Sequence, residues 1–161
     1  MNEHEKFMKM ALGRASTAAK QGETPVGCVI VKDGRVVSGG RNRRENGKNA
    51  LCHAEISAIN AACKKLGGWR LCECDLYVTL EPCPMCAGAI INARIKNVYF
   101  GASDKKAGSF GSVVNLAELP YNHKPNVEGG ILEKECAFVL SEFFKELRAN
   151  KKKSKAVEES I

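Results

Sequence analysis

Residues 4–20 place Phe7, Met8, Ala11, Ala15, Ala18 and Ala19 at helical spacings between charged positions, which predicts an amphipathic helix. After Gly22 and Pro25 the pattern changes. The run VGCVIV is almost continuously apolar and β-branched, as expected of a strand covered on both faces. Asp33-Gly34 then predicts a two-residue hairpin loop, with Arg35 to Gly39 returning as a second strand. From His53 onward Ile56, Ile59, Ala62, Cys63 and Leu66 follow a 3.6-residue period, and Gly67-Gly68 ends that helix. Asp75–Thr79 predicts a third strand, and Cys83 to Asn92 a helix with Pro84 in its first turn. Asn97–Gly101 predicts a fourth strand, and a short fifth is expected around Val127. Glu133 to Arg148 predicts a long final helix with Cys136, Val139, Leu140, Phe143, Phe144 and Leu147 towards the core. Strands alternating with helices in this way predict an α/β sandwich whose sheet is mainly parallel after the opening hairpin.

The chain has 161 residues, within the range of roughly 100 to 200 that one domain occupies. Residues 1–150 are expected to form that domain, and 151–161 (KKKSKAVEESI) a basic, polar, frayed tail. No apolar run approaches the roughly 18 residues of a membrane span, and the N-terminus lacks the apolar segment of a secretory signal. A cytoplasmic protein with no membrane partner is the expectation. Lys and Arg number 25 against 18 acids, a net charge of +7, which points mildly to a polyanionic partner. Eight cysteines without an export signal are better read as buried small hydrophobes, metal ligands or catalytic groups than as disulfides.

Their spacing concentrates the chemistry in two segments, Cys52-His53-Ala54-Glu55 and Glu81-Pro82-Cys83-Pro84-Met85-Cys86. Cys83 and Cys86 lie three apart, so both sulfurs share one face of a first helical turn. A helix N-terminus also favours the thiolate that a metal binds. His53 heads the preceding helix, and two side-by-side helices of a βαβα arrangement bring their N-termini to one sheet edge. One histidine and two cysteines make three ligands of the kind zinc prefers, and a catalytic zinc keeps its fourth position open. Glu55, not a ligand but at the same helix tip, is the candidate proton shuttle. A fourth ligand from Cys52, Cys72 or Cys74 would instead make the metal structural.

HxE followed by PCxxC resembles the signature of the zinc-dependent nucleoside deaminases. TPVGCVIV, NRRE, LGGWRL, YVTLEPCPMCAGAI, FGASDKKAG, the Asn122-His123 pair and LSEFFKELR extend the likeness, from about Phe7 to Arg148, to the bacterial tRNA-specific adenosine deaminases. The resemblance implies a three-layer α/β/α sandwich of the cytidine-deaminase type, with a mixed sheet of about five strands. It also implies a homodimer that deaminates adenosine to inosine hydrolytically at wobble position 34 of a tRNA anticodon stem-loop. Carried over position by position, one Zn²⁺ per chain is held by His53, Cys83 and Cys86. Glu55 moves protons for the activated water, and the backbone N–H of Cys83 stabilises the tetrahedral centre. Asn42 is expected at the base and Asp104 near a flanking ribose, with Asn122, His123 and Phe144 as further substrate contacts. Lys and Arg of 41–48 and 145–155 are the expected phosphate contacts.

Two departures stand out. Asn49-Ala50-Leu51-Cys52 replaces a segment that usually carries Asp, Thr and Ala, and Cys28 replaces a small alanine. Both are expected to line or support the pocket. Two other classes compete: a deaminase of free bases or nucleosides such as guanine or cytosine, and a non-catalytic zinc-stabilised binding module. Glu55 argues against the module. The basic balance and the Asn42, Asp104 and Phe144 matches argue against the free-base enzyme.

Overall fold

The computed structural model describes all 161 residues. The elements run α1 (Glu3–Lys20), β1 (Gly27–Lys32), β2 (Arg35–Arg41), α2 (Ala54–Leu66), β3 (Cys74–Leu80), α3 (Pro84–Asn92), β4 (Asn97–Ala102), β5 (Asn126–Glu128) and α4 (Glu133–Glu159), with a 3₁₀ turn at Leu116–Glu118. The sheet has the order β2-β1-β3-β4-β5. β1 is antiparallel to both β2 and β3, whereas β3, β4 and β5 are parallel. The hairpin forms at the expected pair, where Asp33 and Gly34 both take positive φ.

β-strand side chains alternate between faces, so each strand feeds two cores. Cys28, Ile30, Leu76, Val78 and Val98 pack with the α2 and α3 helices on one side, and Val29, Val31 and Tyr77 pack under α1 on the other. With α4 beside α1, this is the expected three-layer α/β/α sandwich on a mixed five-stranded sheet.

Two expectations about helices change. Of the expected α2 stripe, Ala62 is fully buried and Ile59 and Cys63 pack against the core, but Leu66 is exposed, and the other fully buried apolar positions are Ala54 and Ala58. Gly40 of β2 explains the alanines, because a Cβ there would run into the Ala54 carbonyl oxygen. Helix and strand approach so closely that alanines fill the space between them, while Ile56 and Ile59 are only half-buried, Ile59 at the margin of the core. In α4, Cys136 alone is fully buried, while Phe144 and Leu147 are each 40% exposed. The expected frayed tail is also helical as far as Glu159, though exposed throughout. Residues 133–159 contain no Gly or Pro, and the Lys, Ala and Glu of the last turns are good helix formers, so a packed first turn propagates outward.

Candidate active site and metal centre

Both reactive segments end as helix tips at one edge of the sheet. His53 is the N-cap of α2 and Cys83 the N-cap of α3, each with extended backbone, and Pro84 opens α3 as expected. Their ligand atoms and that of Cys86 lie within 4.8 Å of one another. His53 Nδ1 is 3.5 Å from Cys83 Sγ and 3.6 Å from Cys86 Sγ. A tetrahedral zinc with Zn–S of about 2.3 Å and Zn–N of about 2.1 Å requires N···S separations of about 3.6 Å. Spacing and donor chemistry therefore both fit one Zn²⁺.

No fourth protein ligand joins this group. Cys74 is buried at the far end of β3, Cys72 is exposed, and the Cys52 sulfur lies on the side of Gly47. His53 and Cys83 border a cavity of about 230 Å³ that Glu55, Asn42, Arg44 and Asp104 also line. Three protein ligands at the wall of a cavity fit a catalytic zinc, which keeps a position for water, rather than the four-ligand closed structural site.

The electrostatics agree with that assignment. The hydrogen bond from Cys86 holds the Cys83 thiol far below its ordinary value, at about 4, while the same bond and burial push Cys86 up. A Zn²⁺ held there would bind both sulfurs as thiolates. Glu55 is 4% exposed, and burial is the largest influence raising its carboxyl above the usual range, only partly offset by Cys86 beside it. A carboxyl poised this way accepts and returns a proton more readily than one in water. The backbone N–H of Cys83 makes no hydrogen bond within the protein.

Not every expected contact reaches the cavity. Asn42 and Asp104 line it, yet both also brace their own loops. Asn42 donates to the Thr24 carbonyl and accepts from the Arg44 N–H, and Asp104 Oδ1 accepts from the N–H groups of Lys106 and Ala107. Asn122 lies elsewhere, in a broad apolar groove with Leu51, Ile56, Met85 and Tyr121. His123 Nε2 bonds the Ile95 carbonyl oxygen at 2.7 Å, and the Phe144 ring meets Phe143 edge-on. Of the two departures, Leu51 and Cys52 fall outside the catalytic cavity, whereas Cys28 is fully buried and close enough to Glu55 that the carboxylate adds to the effect of burial in raising its thiol. The sequence marks Glu81 as part of the second reactive segment but gives it no role; it is a buried acid in the cavity lining. Its one signal was an acid interrupting the apolar approach to PCPMC.

This is the architecture and metal chemistry of the zinc-dependent deaminases. Residues 1–102 match the family model of the cytidine and deoxycytidylate deaminase zinc-binding region. The tRNA-specific adenosine deaminase of Bacillus subtilis (strain 168) is 47% identical over 153 residues, covering 94% of this chain and 95% of that protein. The tRNA-specific adenosine deaminase of Agrobacterium fabrum (strain C58) is 46% identical over 149 residues, covering 92% and 98%. A solved structure from work on A-to-I editing by tRNA:A34 deaminases superposes with a TM-score of 0.82 at 46% identity, over 84% of this chain and 99% of that one. A guanine deaminase from Bacillus subtilis gives a TM-score of 0.62 at 38% identity, over 80% and 85%. The chain belongs to the zinc-binding cytidine and deoxycytidylate deaminase family, in the branch of the tRNA-specific adenosine deaminases.

Proposed function

We propose that this protein hydrolyses adenosine to inosine and ammonia at wobble position 34 of a tRNA anticodon. The observation that carries the reading is the likeness to tRNA-specific adenosine deaminases over 94% of the chain, together with an open three-ligand site beside a buried glutamate. Zinc, when bound, supplies a Lewis acid that brings the pKa of water towards neutrality. Glu55 takes one proton from the attacking water and delivers it to purine N1; it then takes the remaining hydroxyl proton of the tetrahedral centre and passes it to the C6 amine, which leaves as ammonia as the carbonyl forms. The Cys83 N–H, at its helix tip, donates to the oxygen that develops charge at C6.

Asn42 binds the base edge and Asp104 the neighbouring ribose, each from a loop that borders the cavity. Unpaired loop bases need little energy to be splayed into such a pocket. Lys and Arg of 41–48 and 145–155 take the flanking phosphates. Asn122, His123 and Phe144 are assigned to the outer part of the same RNA.

The protein acts as a homodimer. The apolar groove of about 720 Å³ bearing Leu51, Ile56, Met85 and Tyr121 supports this reading, because Leu51 and Tyr121 are exposed there and Ile56 and Met85 only half-buried within one chain. Sedimentation should give the mass of two chains. We assign it to the cytoplasm, where tRNA is processed; unpaired cysteines and the lack of any helix able to cross a membrane agree with that.

Incubation with total tRNA, followed by sequencing, should show A-to-G changes at anticodon position 34. An unchanged position 34 alongside rapid deamination of free guanine would replace this reading with the free-base one, on the precedent of the guanine deaminase neighbour.

A further inference from the structure

Glu81 follows the last residue of β3 and leads through Pro82 to Cys83. It is 2% exposed, and no cation neutralises it, since the chain's single ion pair joins Arg44 to Glu45. A carboxylate so placed must be satisfied entirely by hydrogen bonds. Four donors supply them, two to each oxygen. Oε1 accepts from the Asp104 N–H at 3.1 Å and from the Ser112 hydroxyl, and Oε2 accepts from the N–H groups of Phe110 and Ser112 at 3.2 and 3.1 Å. All four come from the loop that follows β4.

That loop is wrapped around the carboxylate. At Gly108 a Cβ would collide with the Glu81 carboxyl carbon and with the Asp104 carbonyl oxygen, so the chain passes only because no side chain is there. The Ser109 N–H also donates to the Pro82 carbonyl at 2.9 Å, tying the loop to the residue before the metal ligand. Asp104 and Ala107 of this loop line the catalytic cavity. One side chain thus fixes the distance between the segment that carries Cys83 and the loop that carries Asp104.

We propose that Glu81 is a positioning residue for the nucleotide substrate. It acts through Asp104, holding the loop at the cavity mouth in the geometry that the flanking ribose requires, and so governs substrate capture more than the chemical step. This rests on the tRNA reading above. Gln at position 81 keeps the shape but replaces one acceptor oxygen with an NH₂ group, which faces donors and leaves them unpaired.

The test is steady-state kinetics of Glu81→Gln and of Ser112→Ala on an anticodon stem-loop carrying A34, with zinc content and thermal unfolding measured alongside. Glu81→Gln should keep about one zinc per chain. Its KM should rise by roughly tenfold, the equivalent of one charge-assisted hydrogen bond, with kcat changed much less. Ser112→Ala removes one donor from the loop side and leaves Glu81 intact, so its KM should rise in the same direction but less, and it serves if Glu81→Gln does not fold. Glu81→Asp, which retains both acceptor oxygens, should recover part of the lost affinity. An unchanged KM in both Glu81→Gln and Ser112→Ala, or losses of kcat and zinc in proportion with KM unmoved, would overturn the proposal. Wild-type protein inactive on the stem-loop would instead overturn the tRNA reading, so the two failures are distinct.

Discussion

At the scale of single residues, the proposed function gives the metal to His53, Cys83 and Cys86 and the protons to Glu55, and the two roles separate by substitution. Cys83→Ala leaves two ligands and should lose both zinc and activity, which elemental analysis beside an activity assay checks. Full zinc in that variant would contradict the ligand set. Glu55→Ala should keep its zinc and its RNA binding while turnover drops by at least the roughly 10²- to 10⁴-fold typical of general acid–base groups. Zinc lost together with turnover would make Glu55 a ligand instead. The four residues were legible in the sequence because ligand spacing is local: Cys83 and Cys86 share a helical turn, and His53 and Glu55 share a helix tip. The role of Glu81 was not legible, because its partners are three backbone N–H groups and the Ser112 hydroxyl, 23 to 31 residues away, and no periodicity marks a loop folded over a carboxylate. Asn42 and Asp104 stand between these cases. Their placement at the cavity followed from resemblance, while their hydrogen bonds serve the loops that carry them.

At the scale of elements, the metal site depends on how closely α2 lies on β2. Gly40 permits that approach, and the buried Ala54-Ala58-Ala62 face completes it. Gly40→Ala forces a methyl group into the Ala54 carbonyl and should destabilise the fold by about 1–3 kcal/mol, as overpacked cores do. The start of α2 would shift with it, so zinc affinity should fall as well. Denaturant unfolding and a zinc competition assay check the pair; unaltered stability would mean that the helix moves away freely. The same contact explains why the α2 pattern was only partly right: Ala62, Ile59 and Cys63 face the core as expected, but the closest positions belong to Ala54 and Ala58. Period and length were right, but hydrophobicity alone ranks Ile above Ala for the core, whereas close packing reverses the order. In α4 the apolar spacing likewise promised more burial than one sandwich face supplies, so Phe144 and Leu147 remain 40% exposed. The hairpin and the parallel strands were legible because turn chemistry and β-branched runs act over few residues.

At the scale of the whole molecule, the chain combines a net charge of +7 with a cavity of about 230 Å³, which the proposed function assigns to a single base. Charge of this kind acts on a polynucleotide through release of the counterions around its phosphates, and a neutral free base has none to release. Substrate class and salt dependence are therefore linked, and one experiment reads both. The purified zinc protein is given an anticodon stem-loop carrying A34, or free adenosine, guanine or cytosine, over a range of salt concentrations, and inosine and ammonia are measured. Inosine should appear at position 34 at low salt. Stem-loop affinity should fall on a logarithmic plot with a slope near −0.7 for each phosphate contact, and the free compounds should turn over little. Efficient, salt-insensitive deamination of a free base, with the stem-loop untouched, would contradict the assignment.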